Sequence, residues 1–381
     1  MSDTIKNNKE WIDSTWEKID NKLRKVAVRS RNKLPYTVDE NGVHNDFSKE
    51  RVWWWTNGFF GGMMWLMYRE TGNNVYMDTA KVQGNLVNRI FENYNWLDHD
   101  VGFLWHLTSG ADYRITGDKS SRTSNLLAAA SLASRYNING KYIRAWNADD
   151  SKYLSIIDCL MNLSLLYWAS DEVKDNRFSL IAKSHADMSL RDHIREDGSV
   201  NHMVIHDSEN GDFVENLAGQ GFSVDSCWTR GLAWAVYGMF ISYIHTGEKR
   251  YLDASVKCAD YFIENVKASD WLPPADFNAP KEYFAYDSTA GACTACALLE
   301  LAKHVPDKSE FYTDAAIKVL KAIDEKCANY DENIDYLVNL GSLRCPREDI
   351  EDAGTNMPIV YGDFFYVEAF LKLKGNDFFI W

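Results

Sequence analysis

The stretch WTRGLAWAVYGMFISYIHTGEKRYLDASVKCADYFIENV, residues 228–266, sets two helical segments of opposite character back to back. From Leu232 to Ile244 the chain is apolar almost without interruption, and a helix hydrophobic on every side has to be buried. Thr246-Gly247 then supplies a helix stop. Residues 250–266 follow with Tyr251, Ala254, Cys258 and Phe262 at helical spacing and Arg250, Asp253, Lys257 and Glu264 between them, the pattern of a helix with one wet face.

The alternation recurs six times. Apolar segments occupy 58–73, 102–118, 155–171, 228–248, 288–304 and 361–377, and charged amphipathic ones roughly 5–31, 75–95, 119–136, 175–195, 250–267 and 309–330. Stops of the same kind stand at Thr71-Gly72, Thr116-Gly117 and Lys374-Gly375. Six buried helices alternating with six half-wet ones predict an all-α (α/α)6 barrel, an inner ring wrapped by an outer one, with residues 1–381 as a single domain. An open solenoid of helical hairpins is the competing architecture, but its repeats keep a uniform length and these do not.

In such a barrel all six inner helices run parallel, so their N-terminal ends share one mouth. The residues there are Trp55 with Asn57, Asp100, Asp158, Trp228 with Arg230, Asp287 with Ser288, and Gly362 with Asp363. Helix N-termini around a pocket favour anions.

Composition narrows the function. The chain has 381 residues and a formal net charge of −14, which disfavours nucleic acid and anionic membranes as partners. The N-terminus MSDTIKNNKEW lacks the apolar run of a signal peptide, and no stretch approaches 18 apolar residues. Seven cysteines, an odd number set mostly in apolar segments, suit a reducing compartment, so the expected location is cytoplasmic. Cys293 and Cys296 form a CxxC without a second pair, and no HExxH, GxGxxG, Walker A or GxSxG motif occurs. Neither metal nor cofactor is implied.

Asp158, in LSIIDCLMNL, is an acid among apolar residues. It could cap a helix, but the helical pattern starts earlier, around Tyr153 to Ser155, and burial there would raise its pKa toward what a general acid needs. Asp100, in NWLDHDVGFLW, is either an ordinary cap or a second functional carboxylate; Asp98 and His99 read as loop supports. His202 falls in the alternating DGSVNHMVIHD, a strand or extended loop. Arg230 sits at a helix N-terminus where the dipole disfavours a cation, so it needs a partner, either a ligand carboxylate or an acid such as Asp225. Trp55, Trp146, Trp228 and Trp234 are core residues or sugar-stacking platforms; fourteen tryptophans near polar loop ends fit a carbohydrate cleft.

Read in order, WWTNGFFGGMMWLMYRETGN, LDHDVGFLW, IRAWN, IIDCLMNLSLLYWA, DGSVNH, WTRGLAWAVYGM, YDSTAGA and YGDFFYVEA resemble the unsaturated glucuronyl hydrolases of glycoside hydrolase family 88 over nearly the whole chain. The resemblance implies Asp158 as general acid/base and Asp100 as the second essential aspartate. It also implies His202, Gln220, Arg230 and Trp234 at the substrate, with Trp55 and Trp146 lining the sugar subsite. It implies hydration of a C4=C5 double bond in a small anionic unsaturated oligosaccharide, by a monomer or homodimer. Family members often read Asp-His-His-Asp where this chain has one histidine fewer, which leaves Asp98 as the alternative to Asp100. Where some members carry a sulfate-favouring Ser-x-x-Ser-x-Lys, this chain has SLRCPR, making Ser342 and Arg347 the candidate sulfate contacts. An unsaturated rhamnogalacturonyl hydrolase and a non-catalytic carbohydrate-binding scaffold are the alternative functions.

Overall fold

A computed structural model describes residues 2–149, 153–207 and 209–381. The outer ring comprises α1 (Lys9–Arg29), α3 (Asn74–Asn88), α5 (Lys119–Ser134), α7 (Arg177–Asp192), α9 (Lys249–Val266) and α11 (Ser309–Lys326). The inner ring comprises α2 (Phe59–Thr71), α4 (Gly102–Gly110 continuing as Ala111–Thr116), α6 (Cys159–Val173), α8 (Thr229–Thr246), α10 (Ser288–His304) and α12 (Val360–Leu373). Each inner helix packs on the next and α12 packs on α2, so the ring closes as an (α/α)6 barrel.

Gly72, Gly117 and Gly247 end α2, α4 and α8 in the left-handed conformation, with φ of 66°, 79° and 70°, where a Cβ would be strained. Lys174 ends α6 with φ 57° although it carries a side chain.

The barrel axis is filled by aromatic rings. Phe103 lies 5.6 Å from Trp55, 5.5 Å from Trp234 and 6.0 Å from Trp381, centroid to centroid. Below them Lys372 Nζ meets Glu300 at 2.6 Å and Glu368 at 3.3 Å, both carboxylates buried with it. This ion cluster and the rings above it fill the lower part of the barrel axis.

Two departures from helical expectation shape the end of the barrel where the inner helices start. Gly102–Gly110 is a π-helix, a wider coil often found at functional sites. Residues 153–155, expected to start a helix, lead instead into a strand: β3 (Leu154–Ile156) pairs antiparallel with β4 (Met203–His206), which pairs with β5 (Phe213–Leu217). The ladder continues as Ile157 N–H donates to the His202 carbonyl at 3.0 Å, and α6 begins only at Cys159. A strand pair on the rim is therefore what brings Asp158 beside His202. Two smaller strands, β1 (Tyr136–Asn137) and β2 (Tyr142–Ile143), form a hairpin after α5.

Candidate active site

A cavity of about 620 Å³ opens at the N-terminal ends of the inner helices. Its walls include Trp53, Trp54 and Trp55 before α2, Asp98 and Asp100 before α4, His202 with Gly219 and Gln220 from the β-ladder, Arg230 at the start of α8, and Tyr361 in α12. Trp146, Tyr36 and Arg344 complete the rim.

The polar chemistry around it is conspicuous for what is left open. Asp158 Oδ1, His202 Nε2, Arg230 Nε, Trp54 Nε1 and the Tyr361 hydroxyl are all buried without a hydrogen-bond partner. Trp54, His202, Arg230 and Tyr361 line the cavity and Asp158 stands behind its wall next to His202; a buried polar atom without a partner costs about 1–3 kcal/mol, so several here are best explained by a polar ligand that satisfies them. Asp158 Oδ1 and His202 Nε2 stand 3.8 Å apart, too far for a direct bond. His202 Nδ1 accepts the main-chain N–H of Gln220 at 2.9 Å, which places the ring proton on Nε2, facing Asp158. Gly219 permits this, since a Cβ there would lie 2.1 Å from His202 Nδ1.

Electrostatics separates the titratable groups. Burial pushes the Asp158 carboxyl up to about 7, and the Arg230 charge only partly offsets it. Burial, then the charges of Asp98 and Asp158, raise Asp100 well above the usual range; Asp98 is pushed up to about 6 by burial. Three carboxyls in one buried corner cannot all ionise at neutral pH, so the group keeps protons. At Asp158 burial is the leading cause, rather than a neighbouring carboxylate. Burial holds His202 and His99 neutral, each down to about 3.

Several expected contacts turn out to be scaffolding. Asn57 is fully buried and donates to the carbonyls of Arg51 and Val52 at 3.0 and 2.8 Å, fixing the turn that presents Trp53 to Trp55 rather than lining the cavity. Trp228 is a shelf: the His202 ring lies 4.3 Å from it and the Arg230 guanidinium 4.6 Å. Trp234 sits a layer down, against Phe103 and Phe365. Arg230 finds its acid in Asp287, at 2.7 Å, while Asp225 is exposed. Asp287 also caps α10 through Thr289 N–H, Ser288 bonds the Asn339 carbonyl, and Asp363 accepts the N–H groups of Leu337 and Val338, so none of the three lines the cavity.

The sulfate candidates are likewise occupied. Ser342 is buried and donates to the Tyr286 carbonyl at 2.6 Å, and Arg347 pairs with Asp349 at 2.8 Å and bonds the Gly221 carbonyl at 2.9 Å. The cation of that segment on the cavity wall is Arg344, exposed and without an ion pair among the described residues.

Trp55 and Trp146 do line the cavity, and Gln220 does so while Nε2 holds the Leu343 carbonyl. Asp98 and Asp100 both face it. Asp98 Oδ1 accepts the Asp100 N–H at 2.9 Å, combining the support role with a place on the wall. Sequence reasoning missed Arg135, which clamps this loop by bonding the carbonyls of Leu97, Ala145 and Arg144, each at 2.9 Å. It also missed Asn162, whose side chain bridges Asp100, Asp158 and Phe103. An arginine ending a helix and a polar residue one turn after Asp158 give no distinguishing signal.

All seven cysteines are buried free thiols, Cys293 and Cys296 among them. Among the described residues no helix is long and apolar enough to cross a membrane.

Comparisons with known proteins agree with the geometry. A family model described as Glycosyl Hydrolase Family 88 matches residues 27–243. An unsaturated glucuronyl hydrolase of Bacillus sp. strain GL1 is 33% identical over 330 residues, 84% of this chain and 86% of the relative. An unsaturated chondroitin disaccharide hydrolase of Streptococcus pneumoniae is 31% identical over 84% of this chain and 81% of its own length. The crystal structure of an unsaturated glucuronyl hydrolase specific for heparin superposes with a TM-score of 0.86 at 29% identity, covering 97% of this chain and 98% of that one.

Proposed function

The chain belongs to glycosyl hydrolase family 88 and is a glycosidase, and from that premise we propose that it releases 4,5-unsaturated glucuronic acid from the non-reducing end of lyase-generated glycosaminoglycan fragments, of chondroitin, hyaluronan or heparin type. The observation that carries this reading is the buried Asp158 carboxyl, near-neutral in pKa and facing an equally unpartnered His202 N–H across a gap. A group of that kind gives up a proton at neutral pH.

The substrate's C4=C5 bond is a vinyl ether. Asp158 protonates C4, the positive charge develops at C5 and its ring oxygen, and water adds to C5. Asp158, now a carboxylate, takes a proton from that water. The resulting hemiketal opens, and the other sugar leaves without direct displacement at the anomeric carbon, unlike the usual two-carboxylate glycosidase. Asp100 accepts hydrogen bonds from substrate hydroxyls. The unpartnered N–H groups of His202 and Arg230, two residues of the cavity wall, hold the uronate carboxylate, which is how a protein of net charge −14 takes an acidic sugar. That carboxylate is a further negative charge near Asp158 and raises its proton affinity again.

Trp55 and Trp146 offer ring faces to the sugars. We assign charge on the leaving sugar to Arg344, in place of Ser342 and Arg347, because Arg344 alone of the three lines the cavity. The whole chain acts as one catalytic unit, a monomer or homodimer working on a small oligosaccharide rather than on nucleic acid or membrane. Seven unpaired thiols are in keeping with a cytoplasmic site of action. The test is incubation with unsaturated chondroitin, hyaluronan, heparin and pectin disaccharides while following ultraviolet absorbance of the double bond. Loss with a glycosaminoglycan disaccharide supports the reading; loss with the pectin disaccharide alone replaces it by the rhamnogalacturonyl activity, and no loss with any refutes it.

A further inference from the structure

Asp158 and His202 come to one corner on two different segments, and a buried polar knot ties those segments together. Ser155 on β3 stands three residues before Asp158, and Asn201 immediately precedes His202 at the head of β4. His193, just past the end of α7, bonds to both: its Nδ1 lies 2.9 Å from the Asn201 carbonyl and its Nε2 2.9 Å from Ser155 Oγ. His206, at the far end of β4, brings Nε2 to within 2.8 Å of the same Oγ. All three side chains are buried, and neither Ser155 nor His193 lines the cavity.

The protons of this knot have one consistent arrangement. A carbonyl only accepts, so His193 Nδ1 carries a proton. Burial pushes that ring down to about 4, so it is neutral and its Nε2 is an acceptor. The Ser155 hydroxyl has a single proton and gives it to that nitrogen, the Met188 sulfur at 3.9 Å being the weaker acceptor. Its oxygen then accepts from His206, whose Nε2 is the donor. The hydrogen bonds therefore run one way, from His206 to Ser155 to His193 to the Asn201 carbonyl.

The anchor is the end of α7. Asn201 N–H donates to the His193 carbonyl at 2.7 Å and its side-chain amide to the Asp192 carbonyl at 2.8 Å, while Arg195 Nε donates to Asn201 Oδ1 at 2.8 Å. On the other edge of β4 the pairing with β5 slips: Ile205 pairs with Glu215 but His206 with Phe213, so Val214 is left over. Bulges of this kind re-aim a side chain, often next to an active site. Here the residue at the slip is His206, the donor to Ser155.

What the knot holds is the spacing of two groups that act on one sugar ring. Asp158 protonates C4 while His202 holds the carboxylate borne by C5, so the pair grips neighbouring atoms. The 3.8 Å between Asp158 Oδ1 and His202 Nε2 thus decides how the proton meets C4. A misplacement of ~1 Å in such an arrangement can cost about a hundredfold in rate. We propose that Ser155 and His193 are positioning residues for the reaction: by clipping β3 to the head of β4 they fix the separation of Asp158 from His202. This rests on the hydrolase reading above.

The experiment is the kinetics of Ser155→Ala on an unsaturated disaccharide, alone and combined with His202→Ala. Ser155→Ala should lower kcat about tenfold and change KM less than about threefold. In the His202→Ala background the same change should cost less than about twofold, because the separation it sets no longer matters. A kcat untouched by Ser155→Ala, or losses that multiply in the double variant as a general loosening of the fold would make them, overturns the proposal. If Ser155→Ala does not fold, His206→Phe carries the same cycle, since it keeps a ring against Tyr142 and removes the donor to Ser155. A wild-type protein inactive on every unsaturated substrate would instead indict the hydrolase reading, which keeps the two failures apart.

Discussion

Replacing Asp158 by asparagine should stabilise the protein while silencing it, and by an amount that grows with pH. The asparagine keeps the shape and cannot ionise. In the folded chain the carboxyl sits at about 7 against 3.8 for the free group, chiefly through burial, and its side chain is 15% exposed. Between those two values the folded chain holds a proton that the unfolded chain has lost. Stability therefore falls as pH rises through that window, and the loss is complete above it. At ~1.4 kcal/mol per pH unit the ionised carboxylate costs the wild type roughly 4 kcal/mol by pH 8. The same group costs little near pH 4. An unfolding entropy of about 2.1 cal/mol/K per residue makes this a Tm difference of about 5 °C for a chain of this length. Removing the charge also relieves Asp100, whose ionisation Asp158 opposes, so the effect reinforces itself. Thermal or urea unfolding of both proteins at pH 5 and pH 8 reads the difference directly, other titrations being shared. An offset identical at the two pH values, or a variant less stable at pH 8, would refute the argument that this carboxyl is buried at a cost.

The wild-type kcat/KM should fall as pH rises through about 7, where Asp158 loses its proton, and a rate that keeps climbing to pH 9 speaks against Asp158 as the acid. Arg230→Leu leaves Asp287 buried and unpaired, so unfolding measurements should show a loss of roughly 3–5 kcal/mol beside the loss of activity; a variant of wild-type stability would contradict the pairing. Arg344→Ala should raise KM several-fold for sulfated unsaturated disaccharides and leave the unsulfated ones within about twofold, since an exposed cation adds modest energy to an anionic ligand. Gly58→Ala would set a Cβ 2.0 Å from the Phe103 carbonyl, backbone against backbone, and should cost at least about 3 kcal/mol or prevent soluble expression.

The barrel could be read from residues 228–266 and their five counterparts because burial of a whole helix leaves a mark on every residue of it. The glycine stops at 72, 117 and 247 were legible for a similar reason, since only a residue without Cβ takes that conformation easily. Asp158 stood out because an acid among Ile157, Cys159 and Leu160 has no local partner. What stayed hidden depends on contacts between distant segments. Nothing near Arg230 announces Asp287, 57 positions away. Ser342 and Arg347 look as available as Arg344 until the turn aims the first two at carbonyls. Asn57 has the right position and the wrong direction, its amide drawn back to Arg51 and Val52. The strand at Leu154–Ile156 was obscured because three apolar-flanked residues fit either period, and only pairing with Met203–Ile205 decides between them.

The central claim is that the double bond, not the anomeric carbon, is where the reaction begins. Two disaccharides differing only in the C4=C5 bond of the non-reducing uronic acid test it most directly, each incubated with the same enzyme while release of the leaving sugar is measured. The account predicts that the unsaturated one releases its sugar as its absorbance disappears and that the saturated one is left intact; comparable release from the saturated disaccharide would contradict it.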